Sequence, residues 1–299
     1  MTRILVTGGS GFLGHNLGTS LSRRHKIFSG FCMNPPDAGK VTPIQFDIAD
    51  AGEVLSMIHR VRPELVIHSA AMSEPDECER RPERALEVIV AGTRNIAEAC
   101  AGISARLIHI STDLVFDGER GMYSEEDAVH GISVYARAKI QAERIVQAAL
   151  SSAVVVRVAL LFGIGSSSHP GSVVTTIGRW REGREQTFYT DQFRTPSFAP
   201  QVAEVIEKLI ERPDISGTFH LGGADRVSRF DFAAALAQKA GIASDLVRRG
   251  SMHDSLALAQ RGADCSLVSK KIEQALGIRL MGCTEALEVM EREGILEST

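Results

Sequence analysis

The sequence predicts an α/β fold, a doubly wound and mainly parallel sheet with helices on both faces, followed by a smaller C-terminal α/β part. Three observations carry that expectation. Apolar runs of about five residues alternate with longer amphipathic segments through the first half of the chain. Those runs are nearly continuous in hydrophobicity, as strands covered on both faces are. A glycine-rich turn, TGGSGFLG (Thr7–Gly14), lies between the first apolar run and the first helical segment.

In chain order, Arg3–Thr7 (RILVT) reads as a strand, Phe12–Arg24 as a helix and Lys26–Phe31 as a strand. A further strand ends at Asp47 in FDIAD. Gly52–Val61 is helical, Leu65–Ser69 (LVIHS) a strand and Pro82–Cys100 one long amphipathic helix. Arg106–Ser111 (RLIHIS) is a strand, Ser133–Leu150 a helix and Ala153–Val158 (AVVVRV) a strand. After Gly163 the rhythm changes. The Gly/Ser-rich loop GIGSSSHPGS marks the boundary between residues 1–162 and 163–299. Helices follow at Gly171–Glu182, Pro200–Glu211, Arg229–Ala240, Ser269–Leu276 and Thr284–Glu293. Short extended pieces, Gln186–Tyr189, Thr218–Leu221 and Asp245–Arg248, lie between them, some returning to the main sheet.

Composition excludes several function classes. The 299 residues are 44% hydrophobic and 23% charged with a net charge of −4, and acids and bases are interspersed. No basic stripe favours nucleic acid or an anionic membrane. No apolar run reaches the length of a membrane span or a signal peptide. Five scattered cysteines without a CxxC pair, and nine unclustered histidines, predict reduced thiols, a cytoplasmic location and no metal site.

The glycine turn suits a dinucleotide. Gly8 permits the tight turn, Gly11 lets backbone approach a pyrophosphate and Gly14 lets the helix pack on the sheet. The N–H groups of Phe12 and Leu13 then face the phosphates at the positive helix end, beside Ser10. This predicts a Rossmann-type domain over 1–162 and a mainly substrate-binding part over 163–299. Asp47, next to Ile48, is placed to accept from an adenine amino group. The alternative, a helix cap, suits Asp50 better. No acid follows the second strand, where the run is GFCMN then PPDAGK. That favours NADP(H) over NAD(H), although no arginine is at hand and Lys40 is the nearest cation.

Tyr135 and Lys139 are i and i+4 in YARAK and share a helix face. A free phenol, with a pKa of about 10, exchanges protons poorly at neutral pH. An ammonium beside it is expected to lower that value and fit the phenol for proton transfer to a reacting oxygen. Ser111, Thr112 and Asp113 stand at the carboxyl end of the RLIHIS strand, where such sheets bind ligands. Thr112 is the best-placed hydroxyl. Asp113 serves equally as an orienting group or a turn residue. Of the remaining signals, ERRPERALE reads as a solvated face, Trp180 as core, GMYSEEDA as a lid or surface turn before the catalytic helix, and Tyr123 within it as a candidate substrate contact.

Together TGGSGFLG, HSAA, STDLVFDG and YARAK resemble the extended short-chain dehydrogenase/reductases. RTPSFAP, GTFHLGG and RGADCSLVSKK are similar to the branch containing dTDP-4-dehydrorhamnose reductases and the regulatory β subunit of methionine adenosyltransferase. The resemblance implies Tyr135 as general acid, Lys139 holding the nicotinamide ribose, and Thr112 binding the carbonyl oxygen. It places Ser69, Ala70 and Ala71 along the cofactor channel, and Ser73, Asp76, Asp113 and Arg194 by the substrate. A guanidinium at Arg194 suits a sugar-nucleotide diphosphate. The resemblance also implies a homodimer through Pro82–Cys100 and Ser133–Leu150. Three departures stand out: Ile89 where the family often has asparagine, Leu160 where rhamnose-forming reductases usually have tryptophan, and Cys32–Met33 in place of a cofactor-selecting residue. The implied activity is reduction of the 4-keto group of a nucleotide-linked 6-deoxy sugar. A non-catalytic NADP-binding regulatory subunit and an NAD-dependent epimerase or dehydratase are the alternatives.

Overall fold

The computed structural model describes residues 1–37, 39 and 41–297. Its centre is a seven-stranded sheet. The first six strands are β1 (Arg3–Thr7), β2 (Lys26–Phe31), β3 (Thr42–Gln45), β4 (Leu65–His68), β5 (Arg106–Thr112) and β6 (Val154–Val158). The seventh is Gly217–Leu221. All pair in parallel, in the order Gly217–Leu221, β6, β5, β4, β1, β2, β3.

The near-continuous hydrophobicity of the strands follows from two cores, one on each face. Successive residues point to opposite sides. Ile4, Val6, Ile67, Ile108 and Val156 therefore pack on one side against α1 (Phe12–Leu21) and the helix Ala199–Glu211. Leu5, Val66, Leu107 and Val155 pack on the other against α2 (Ala51–Val61) and two later helices. A third core, built on Phe162, Trp180, Phe232, Leu236, Leu287 and Met290, holds the C-terminal part together.

Asp50 caps α2 by accepting from the Glu53 N–H at 2.9 Å, as its side chain and position predict. The expected helix Pro82–Cys100 is instead three pieces, and a short helix precedes them. These are α3 (Pro75–Arg80), α4 (Pro82–Leu86), a π-turn at Glu87–Ala91, and α5 (Gly92–Ile103). Pro82 keeps Arg81 out of helical geometry (φ −134°, ψ 62°), which separates α3 from α4. Within the widened turn the Thr93 hydroxyl donates to the Ile89 carbonyl at 2.6 Å. Gly92 there lies flush against Ile48, with no room for a Cβ. Then comes α6 (Val134–Ala149), capped by the Ser133 hydroxyl.

Elsewhere the differences are smaller. The first helix ends at Leu21 rather than Arg24, and the strand expected to end at Asp47 stops at Gln45. The expected extended piece Asp245–Arg248 is displaced to Val247–Gly250, because Ser244–Leu246 forms a short 3₁₀ turn. Three two-stranded pairings complete the C-terminal part: Leu161–Phe162 with Ser197–Phe198, Phe193–Arg194 with Val227–Ser228, and Gln186–Tyr189 with Val247–Gly250. Among the described residues no helix is long and apolar enough to cross a membrane.

Candidate active site

The connections leaving β1 and β4 run to opposite faces of the sheet, which opens a crevice at their carboxyl ends. A cavity of about 1050 Å³ fills it, running from the glycine turn past β5 and α6 to the C-terminal part. Gly8, Ser10, Gly11, Phe12, Leu13 and Gly14 line one end. Gly8 has φ +68°, and a Cβ there would stand 2.8 Å from the Ala70 backbone. A Cβ on Gly14 would meet the Gly8 carbonyl. Gly11 caps α1 and donates to the Gly8 carbonyl at 3.0 Å. The turn is therefore closed by glycines around first-turn N–H groups that lack intrahelical acceptors, a cradle that fits the pyrophosphate of a dinucleotide.

Ile48, Ser69, Ala70 and Ala71 continue the lining. Ser69 is held by donating its hydroxyl proton to the Thr7 carbonyl at 2.7 Å. Asp47 also lines the cavity, and its carboxylate pairs with Arg84 at 3.1 Å. Arg84 and Arg81 face the cavity together with Cys32, Met33 and Asn34. This corrects the sequence reading twice: the Arg84 guanidinium acts on Cys32 just past the end of β2, and the ERRPERALE run is not a wholly solvated face. The signal was present as an arginine-rich segment, but it is remote in sequence from β2. Lys40 lies outside the described residues.

At mid-cavity, β5 brings Thr112 and Asp113, and α6 brings Tyr135 and Lys139. The Thr112 hydroxyl donates to Asp113 Oδ1 at 3.1 Å and accepts from the Leu114 N–H at 3.1 Å. Tyr135 is buried against Ile89, Cys78 and Ala138. Its phenol pKa is raised, not lowered as expected. Burial is the main cause and the Asp113 carboxylate adds to it, while hydrogen bonding to Thr112 opposes. The phenol thus keeps its proton and is a donor. Lys139 is buried too. Its ammonium donates to the Ile110 carbonyl at 2.6 Å and to His109 Nε2 at 3.2 Å, and burial lowers its pKa to about 8.

Farther along, Ser73, Leu160 and Arg194 line the cavity. The Arg194 guanidinium is already engaged. Nε lies 3.3 Å from Asp113 Oδ2, and Nη1 donates to the Phe193 and Gly262 carbonyls at 2.7 and 3.2 Å. Burial raises the Asp113 pKa even so, with Arg194 opposing. Asp76 does not line the cavity. It accepts from the Leu258 and Ala259 N–H groups, each at 3.3 Å, and pairs with Arg261 at 3.0 Å, tying down the 258–261 loop. Tyr123 is not a lining residue either. It stacks on Phe116 with centroids 4.2 Å apart and donates to Asp117. Sequence reasoning missed Tyr189, Gln192, Arg229 and Arg261 on the far wall, since no local motif marks them. Among the described residues no acceptor takes the Arg229 guanidinium, whose pKa burial and Arg194 lower to about 10.

Comparison with known proteins places these features. The family model described as RmlD substrate binding domain matches residues 1–294. Methionine adenosyltransferase 2 subunit beta of Rattus norvegicus is 30% identical over 284 residues, covering 92% of this chain and 83% of its own. The dTDP-4-dehydrorhamnose reductase of Aggregatibacter actinomycetemcomitans is 29% identical over 302 residues, covering 96% and 98%. The crystal structure of the Bacillus anthracis dTDP-4-dehydrorhamnose reductase in complex with NADP matches with a TM-score of 0.87 at 26% identity, covering 98% and 99%.

Proposed function

The chain belongs to the RmlD substrate binding domain family, and on that premise we propose that it is an NADP(H)-dependent reductase of a keto group. The substrate class we assign is a nucleotide-linked 6-deoxy-4-keto sugar. One observation carries the reading: Thr112, Tyr135 and Lys139 share one wall of a single cavity with the glycine turn. Bound NADPH supplies the hydride to the carbonyl carbon. Tyr135 gives its hydroxyl proton to the nascent alkoxide, and its raised pKa keeps that proton available at neutral pH. The Thr112 hydroxyl turns from Asp113 to donate to the same oxygen. The N–H of Lys139 left over by Ile110 and His109 serves the cofactor ribose.

Arg84, which lines the cavity and acts on Cys32 just past the end of β2, supports NADP(H) over NAD(H), because a guanidinium suits a 2′-phosphate. The likeness to a methionine adenosyltransferase β subunit favours a second reading, a cofactor-binding subunit without turnover. A homodimer remains a proposal; the outward faces of α5 and α6 that would form it carry Arg94, Glu98, Arg137, Gln141 and Arg144.

The test is NADPH and NADH oxidation against a panel of nucleotide-linked 4-keto sugars and simple ketones. Turnover of the nucleotide-linked ketones is expected. No turnover of any ketone, together with stable capture of one partner enzyme, rejects the reductase in favour of the second reading.

A further inference from the structure

Behind the Tyr135 wall lies a file of buried polar side chains that hydride and proton transfer do not use. The Thr7 hydroxyl oxygen is 2.7 Å from His68 Nδ1, and His68 Nε2 is 3.0 Å from Thr93 Oγ1. The His68 and His109 rings lie 5.2 Å apart between centroids, and His109 Nε2 meets the Lys139 ammonium. The hydrogen bonds fix the tautomers. Thr93 gives its proton to the Ile89 carbonyl, so it accepts from His68, which carries its proton on Nε2. Thr7 then donates to His68 Nδ1. An ammonium has donors only, so His109 accepts through Nε2 and carries its proton on Nδ1.

That Nδ1–H of His109 is buried and has no partner among the described residues. A buried donor without an acceptor opposes folding. His109 thus makes a single side-chain hydrogen bond, and it makes it to Lys139.

The geometry points to His109 as a positioning residue, whose Nε2 lone pair joins the Ile110 carbonyl in clamping the Lys139 ammonium so that its third N–H faces the cavity. The inference rests on the reading of Lys139 as the group that serves the cofactor ribose. A lysine side chain has four rotatable carbons, and one acceptor leaves its head free to swing. Two acceptors from adjacent residues of β5 leave one direction open.

The charged and titratable groups around Lys139 are few. Glu143, one turn on along α6, favours its charged form. Arg157 neutralises Glu143 through 3.0 and 2.7 Å contacts and itself meets His220 Nε2 at 3.3 Å. His68 stands behind His109, held neutral by burial with its pKa lowered to about 3. Tyr135 lies one turn back, near Asp113 and Cys78. Loss of the His109 acceptor therefore removes support for the charged lysine that no neighbour replaces.

The test pairs His109→Leu with His109→Gln, whose amide oxygen reaches about as far as Nε2. In His109→Leu we expect kcat to fall by about tenfold or more, and the alkaline limb of kcat/KM to move about one pH unit or more lower, the scale of one hydrogen bond to a charged group. His109→Gln is expected to restore both. ¹⁵N-histidine NMR of the unaltered protein tests the same inference without any variant, and His109 is expected as the Nδ1–H tautomer. An Nε2–H tautomer, an unmoved limb in His109→Leu, or equal loss of kcat in both variants with the limb in place each overturns the inference. The NMR measurement needs no turnover, so failure of the reductase assignment reads separately.

Discussion

Replacing Arg157 with methionine tests how much the buried charge beside α6 matters. Glu143 and Arg157 are bridged by two hydrogen bonds, 3.0 Å from Nε to Oε1 and 2.7 Å from Nη2 to Oε2, with side-chain exposures of 4% and 7%. Methionine fills much of the arginine stem but leaves the Glu143 carboxylate, among the described residues, with the Ser111 hydroxyl as its hydrogen-bond partner and the Lys139 ammonium as a charge without a direct contact. Removing one member of a buried pair costs about 3–5 kcal/mol, because the remaining charge stays out of water. For a chain of this size each kcal/mol moves Tm by about 2 °C, so a fall of about 6–10 °C is expected. Differential scanning calorimetry at pH 7 measures it. The double variant Glu143→Leu/Arg157→Met removes both charges and should recover most of the loss. If the single variant loses under about 2 °C, or the double loses as much as the single, the desolvation reasoning is wrong.

Three further outcomes follow from the site and its surroundings. Tyr135→Phe should lower kcat by about 10²–10⁴ while the NADPH Kd measured by fluorescence is unchanged; equal turnover would remove Tyr135 from the chemistry. Gly14→Ala should abolish NADPH binding, since the new methyl would collide with the Gly8 carbonyl, and calorimetric titration that still shows binding would contradict the glycine-turn assignment. Stability should fall as pH drops below about 6.5. Burial holds His68 and His220 at pKa values of about 3, so between pH 6.5 and 3 only the unfolded chain takes up their protons. The urea midpoint should decline through that window, and a flat profile from pH 6.5 to 4.5 would refute it.

The parts of the site legible in the sequence are those written locally. TGGSGFLG must be a tight turn because only glycine tolerates φ +68° and the close packing against Ala70 and Gly8. Tyr135 and Lys139 share a face by helical spacing alone. The two-faced sheet showed itself through strands apolar at nearly every position, with odd and even residues serving different cores. What stayed hidden depends on partners far along the chain. Asp76 carries the right chemistry for a substrate contact, yet Leu258, Ala259 and Arg261 claim it from more than 180 residues away. Arg84 resembles any helix arginine until Asp47 is seen beside it. In RLIHIS, His109 reads only as a strand residue, because spacing within a strand says nothing about which lysine it will meet.

The outermost strand on the β6 side of the central sheet, Gly217–Leu221, comes from beyond the Gly/Ser-rich loop, and its His220 meets Arg157 from the first half. Cutting the chain at residue 163 would strip β6 of that neighbour, leaving a raw hydrogen-bonding margin of five consecutive valine and arginine positions open to stray pairing. The two halves are thus sewn into one cooperative body, and truncation is a poor route to an isolated nucleotide-binding fragment.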